Sequence, residues 1–143
     1  GVRDPDFRSR IMASFARQGF MTTLGARLAV VEPGEVAIVL ATRPELAQQH
    51  GYLHGGALIS VADSAAGYAA MTLMAPGDGV LTVDVKLNLL NPARGEAIRA
   101  VGRVVRAGRT LTVTAVDVHD GADGAGAHLA TGLLDMIRVE GLG

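Results

Sequence analysis

The chain has 143 residues, 49% of them apolar and 19% charged, with a net charge of −1 and no cysteine. That suits a folded unit with one sizeable core, and it leaves neither a basic footprint for nucleic acid nor a cationic face for a membrane. Three Phe, two Tyr and no Trp make a poor base-stacking platform, and the missing cysteines remove disulfides, thiolate metal sites and cysteine nucleophiles while suiting a reducing, cytoplasmic setting.

Residues 4–18 are expected to form an amphipathic helix. Asp4 is a candidate N-cap with Pro5 in the first helical position; Phe7, Ile11 and Phe15 recur every four residues, and Gly19 is a natural stop. Charges at Asp4, Asp6, Arg8 and Arg10 argue against a signal peptide. Two strands are expected at 21–31 and 35–41, joined by a tight turn at Glu32-Pro33-Gly34. A loop over 42–54 leads to a long helix at 55–74, ended by Ala75-Pro76-Gly77. Ser60, Asp63, Ser64, Gly67 and Thr72 interrupt its apolar run, which reads as a buried helix rather than a membrane span.

The second half reads as an antiparallel meander. Leu81, Val83, Val85, Leu87 and Leu89 alternate with Thr82, Asp84, Lys86 and Asn88, the pattern of a half-buried strand. Asn91-Pro92-Ala93-Arg94-Gly95 is a turn, two β-rich runs follow at 96–107 and 111–119, residues 120–126 make a hairpin loop, and the last strand covers 128–139. A helix apolar nearly all round needs cover on most sides. The expectation is an α+β fold: one curved antiparallel sheet wrapped around the long helix, a second subunit on the open side, and an extra N-terminal helix. Residues 1–143 form one unit, with the N-terminal helix in 1–20 and the core in 21–140.

The chemistry concentrates between Gln48 and Asp63. Gly55 and Gly56 stand where loop becomes helix, and the first N–H groups of a helix lack internal partners. Without a Cβ in the way, those N–H groups suit an anion or the oxyanion of an ester under attack. Asp63 is the one charged residue in 57–75, and no Lys or Arg occurs in 44–85. It is either a carboxylate held structurally by N–H or hydroxyl groups, or a catalytic one. It lies nine residues beyond His54, about 13 Å along a helix and half a turn round, too far to act on a group held at its own Gly55. Serving one site would take two chains, and a two-fold dimer would make two such sites.

The His54-Gly55-Gly56 motif followed by Asp63 on a helix resembles the hotdog-fold acyl-coenzyme A thioesterases, most closely the phenylacetate-pathway (PaaI) type, from about residue 21 to 139. The resemblance implies hydrolysis of an acyl-CoA thioester at sites shared within a homodimer, with a dimer of dimers common among relatives. Gly55 N–H would polarise the thioester carbonyl. Asp63 of the partner chain would be general base or nucleophile. Gln48 would help place the thioester or water, and Thr82 would orient the attacking water. His54 would be a catalytic acid or base or, structurally, fix the loop. Gly56, Leu53, Tyr68, Asn91 and Arg94 are the expected substrate contacts, and no cofactor is implied beyond the coenzyme A of the substrate.

Other features carry less. His50 and His54 lie in a Gly-interrupted loop without further ligands, so no metal site is expected. Ser60 and Ser64 lack the nucleophile-elbow pattern, and the glycines of 121–126 precede no helix. Arg94, Arg99, Arg103, Arg106 and Arg109 read as a solvated face, with coenzyme A phosphates as the functional alternative. Met71 and Met74 fit either a core or an acyl pocket, and His119 and His128 are expected to be exposed. Two other functions use the same features: a non-catalytic acyl-CoA sensor, disfavoured by the absence of a helix-turn-helix, and a hydratase or dehydratase. Release of free thiol separates hydrolysis from both.

Overall fold

The computed structural model describes residues 1–143. Helices α1 (Phe7–Arg17) and α2 (Gly19–Leu24) lead into strands β1 (Arg27–Glu32) and β2 (Glu35–Ala41). A single 3-10 turn at Pro44–Leu46 precedes the central helix α3 (Gly55–Met71). Strands β3 (Gly79–Leu89), β4 (Ala97–Ala107), β5 (Leu111–Asp120) and β6 (His128–Val139) complete one antiparallel sheet of order β1-β2-β4-β5-β6-β3.

The sheet wraps α3, touching it with β2, β3, β4, β5 and β6. Close approach rests on small side chains. Ala62, Ala65, Ala66 and Ala69 are fully buried, and a Cβ on Gly102 of β4 would lie 2.6 Å from the Ala65 backbone. Val36, Ile38 and Leu40 enter the core from β2 at alternate positions, and Ala37 and Val39 between them are buried as well.

The N-terminal region departs from the strand expected at 21–31. Residues 19–24 are helical, and β1 starts only at Arg27. Met21 and Leu24, three apart, both enter the core, while Gly25 ends α2 in a left-handed conformation (φ 79°) that glycine adopts without cost. Gly19 therefore begins a helix instead of stopping one, and the N-terminal segment extends past residue 20. Asp4 is not the N-cap either. Its buried carboxylate accepts the Asp6 N–H and pairs with Arg10 at 2.8 Å. Arg10 also donates to the carbonyls of Met71, Met74 and Asp78, so one guanidinium fastens α1 to the C-terminal end of α3. That end comes at Met71, short of the expected Met74, because Thr72 turns its hydroxyl back onto the Ala69 carbonyl and accepts the Gly34 N–H.

Strand β3 is not half-buried within the chain. It is one of the sheet's two edges, and Leu81, Val83, Val85 and Leu89 are 55, 55, 45 and 53% exposed. A bulge at Val83 also breaks its alternation: Thr82 pairs with Met136, but Asp84 pairs with Asp135.

Candidate active site

The first site element is the start of α3. His54, in an extended conformation, caps the helix by accepting the Gly56 N–H on Nδ1 at 2.8 Å. A Cβ at Gly56 would meet that ring at 3.0 Å, so glycine is what lets the imidazole fold back. The His54 carbonyl takes the N–H groups of Ala57 and Leu58. Gly55 N–H alone among these has no acceptor in the chain, and Gly55 lines a cavity of about 280 Å³ with Gln48, Tyr52, Leu89 and Asn91. A free N–H at a positive helix end is a donor waiting for an oxygen.

Around this cavity Gln48 Oε1 accepts the His50 and Tyr52 N–H groups and so folds the 48–52 loop, while Gln48 Nε2 makes no bond within the chain. Leu53 is buried, with its N–H on the Ala93 carbonyl. Asn91 spends its Nδ2 on the His128 carbonyl. Arg94 stacks 5.3 Å from the Tyr52 ring centroid and lines a neighbouring cavity that shares Gln48 and Leu53 with this one.

The second element lies two turns along α3. Asp63 is half-buried and accepts a 2.6 Å hydrogen bond from Thr82 Oγ1 on β3. It forms none of the chain's ion pairs. Thr82 thus bonds the carboxylate directly, and the bulge at Val83 is what turns it toward α3. Asp63 and Thr82 open into a separate cavity of about 430 Å³, together with Tyr68 and Met71. Ser14 and Gln18 of the N-terminal region line it too. The sequence offered one trace of them: they are four apart, a polar stripe beside the apolar Ile11 and Phe15.

Several candidates stand elsewhere. Met74 is buried away from this cavity. Arg103 is held by Glu35 and Asp117, and Arg99 donates to the Ala122 carbonyl, so these two β4 arginines are engaged on the sheet's outer face. His119 and His128 are not exposed but half-buried, because opposite positions on β5 and β6 stack their rings at 4.4 Å. His128 also meets Asp117 at 2.8 Å. Burial pushes the Asp117 carboxyl up, but hydrogen bonds from Thr131 and His128, with the charges of His128 and Arg103, hold it below the ordinary carboxylate value.

A free helix-end amide and an uncharged-partner carboxylate, both beside cavities, are the parts of an ester-cleaving site. Residues 50–127 match the thioesterase superfamily model, spanning both parts. The chain belongs to the thioesterase superfamily. This thioesterase is 42% identical to a thioesterase family protein from Silicibacter pomeroyi whose crystal structure superposes with a TM-score of 0.90, covering 94% of this chain and 99% of that one. It is 30% identical to human acyl-coenzyme A thioesterase 13 over 82% of this chain and 84% of that protein. The E. coli PaaI protein from the phenylacetic acid degradation operon shares 18% identity and the same fold, with a TM-score of 0.85 over 95% of each chain. The fold is therefore the hotdog fold, and the protein is a thioester hydrolase. No helix is long and apolar enough to cross a membrane.

Proposed function

We propose that this thioesterase hydrolyses an acyl-coenzyme A to the free acid and coenzyme A, at sites each built from two protomers. The single observation that carries the shared site is the separation of its parts. Gly55 and Asp63 belong to one helix, eight residues and thus about 12 Å apart, and they open into different cavities. An antiparallel partner brings them together. β3 supports such a partner: it is an apolar edge strand of eleven residues with one side unpaired, which is a template for another strand. Thr82, beside Asp63, lies near one end of β3, and Leu89, beside Gly55, at the other. Antiparallel pairing of β3 with its own copy about a point between them sets each end against the opposite end.

In this reading the thioester carbonyl oxygen rests on Gly55 N–H of one protomer, beside Gln48. Asp63 of the other protomer, steadied by Thr82 on Oδ1, uses Oδ2 to take a proton from water as the water oxygen bonds to the carbonyl carbon. The oxyanion of the tetrahedral intermediate is held at Gly55. Collapse breaks the C–S bond, and the proton passes from Asp63 to the departing thiolate, leaving acid and free thiol. His54 serves as a helix cap. Arg94, with Leu53, Gly56 and Asn91 nearby, lines the approach for the coenzyme A portion. No metal or redox group is needed for these steps. Assembly of dimers into a tetramer and a cytoplasmic location belong to the same proposal, the latter supported by the cysteine-free composition.

Complementation tests the sharing. Asp63→Asn removes the base. Gly55→Pro removes the amide hydrogen at a position where Pro is tolerated, the first of the helix after an extended His54, and its Cβ meets only the flexible end of Leu89, at 3.3 Å. Each variant alone should release no thiol from an acyl-CoA panel. A mixture reassociated at random should recover about a quarter of wild-type turnover, since half its dimers are mixed and each of those keeps one intact site. No recovery from folded, reassociated variants would overturn the shared site. No thiol release by the wild type would overturn acyl-CoA as substrate.

A further inference from the structure

We infer that Asp84 and Lys86 fix the register in which β3 pairs with a second copy of itself: Asp84 of each protomer faces Lys86 of the other, with Val85 against Val85 on the two-fold axis. This rests on the proposed pairing of β3 and names the alignment that the shared site needs.

Asp84 and Lys86 lie two residues apart beyond the bulge, so their side chains stand on one face of β3. It is the outer face: across the ladder they meet Asp135 and Leu133, while Leu87 turns in to the core. Both are exposed, and neither belongs to an ion pair within the chain. Lys86 is also the chain's only lysine. Asp84 sits directly opposite Asp135, a like-charge pair that weakens the sheet, and no ion pair offsets it.

Two rules limit the register. Paired residues of antiparallel strands share a face, so a strand meeting its own copy sets each residue against one an even number of places away. Bringing Thr82 of one protomer towards Leu89 of the other centres the pairing between Val85 and Lys86. The first rule then leaves either of these two on the axis. With Lys86 there, two lysines face each other. With Val85 there, Asp84 faces Lys86 twice, and each Asp84 gains a cation on the side away from Asp135. The next alignment, with Asp84 on the axis, sets two aspartates face to face. Opposite charges stabilise a directly paired position and like charges destabilise it, so charge selects Val85.

The choice bears on the site. Moving the axis by one residue slides the two copies past each other by two, about 7 Å, which is more than twice a hydrogen-bond length. The Gly55 amide and Asp63 of the other protomer therefore reach one carbonyl in one alignment only. A lysine on an edge strand commonly wards off other strands. Here the acid two residues before it makes the strand complementary to itself.

Sedimentation and cross-linking test this. Asp84→Lys and Lys86→Asp should each raise the dimer dissociation constant about tenfold, because each sets like charges opposite one another twice. Mixed one to one, the two variants should form a heterodimer as tight as the wild type, since every lysine then faces an aspartate. Both changes on one chain should restore the homodimer. The chain has no cysteine, so single cysteines report the register. Val85→Cys should form a disulfide between protomers on oxidation with diamide, because directly opposed residues stand about 5 Å apart at Cα. Lys86→Cys should not, since its copy lies beyond about 7 Å. A wild-type dimer whose charge variants and their mixture all associate alike, or which Lys86→Cys cross-links and Val85→Cys does not, would overturn the ion-paired register and leave β3 pairing standing. A dimer that neither cysteine cross-links would overturn β3 pairing as well.

Discussion

Thr82 Oγ1 reaches Asp63 Oδ1 at 2.6 Å because the strand that carries Thr82 slips by one residue at Val83. Paired residues of antiparallel strands share a face, so Thr82 points inward with buried Met136, and beyond the bulge Leu87 points inward too and packs against the core. Strict alternation would place those two on opposite faces. The bulge lets one strand give α3 both a hydroxyl and an apolar lining.

That hydrogen bond should be needed for turnover. Thr82→Val keeps the side chain's shape and removes the donor, and we expect kcat/KM to fall by about 10- to 100-fold with little change in melting temperature. Thr82→Ser should retain most activity. Full activity in Thr82→Val, measured by thiol release, would remove Thr82 from the mechanism.

His54 is expected to matter for the helix end and not as an acid or base. Its Nδ1 accepts from Gly56 N–H, so His54→Ala should cost about 1 kcal/mol of stability. His54→Asn, a good capping residue, should restore most of that loss and keep the turnover and its pH profile. A pH profile that loses one limb in a stable His54→Asn protein would point to proton transfer by the ring.

The free edge of β3 should set the assembly. Val83→Asp places a carboxylate at the exposed bulge in the middle of that strand, where pairing with a second copy would bury it at a cost of several kcal/mol. Sedimentation should show folded monomer, and thiol release should vanish with the dimer. A folded monomer with full activity would end the shared-site reading.

Asp117 predicts an acid-side effect. Its folded pKa lies below the ordinary 3.8, so the group stabilises the fold above that value and the contribution fades as pH falls through the lower, folded value. With a third of the side chain exposed, solvent screens the gain to a fraction of a kcal/mol. Asp117→Asn should slightly lower the melting temperature at pH 6 and lower it by less at a pH well below 3.8. An equal deficit at both pH values would assign the effect to packing instead.

Sequence alone determined the elements whose period is strong and whose partners are near in the chain: β2, the long helix with His54 and Gly55 at its start, and the order of the last four strands. It also determined that Asp63 has no neighbouring cation and lies too far along its helix to serve its own Gly55. Tertiary structure decided the rest. Residues 21–24 became helical because Met21 and Leu24 both find the core from one helix face, which outweighs a local strand preference. The bulge that turns Thr82 inward, and the meeting of Gln18 with Tyr68 fifty residues away, depend on how strands and helices dock. Period and propensity describe a chain against itself; a one-residue slip or a contact across the fold is chosen by packing against groups that the local sequence does not contain.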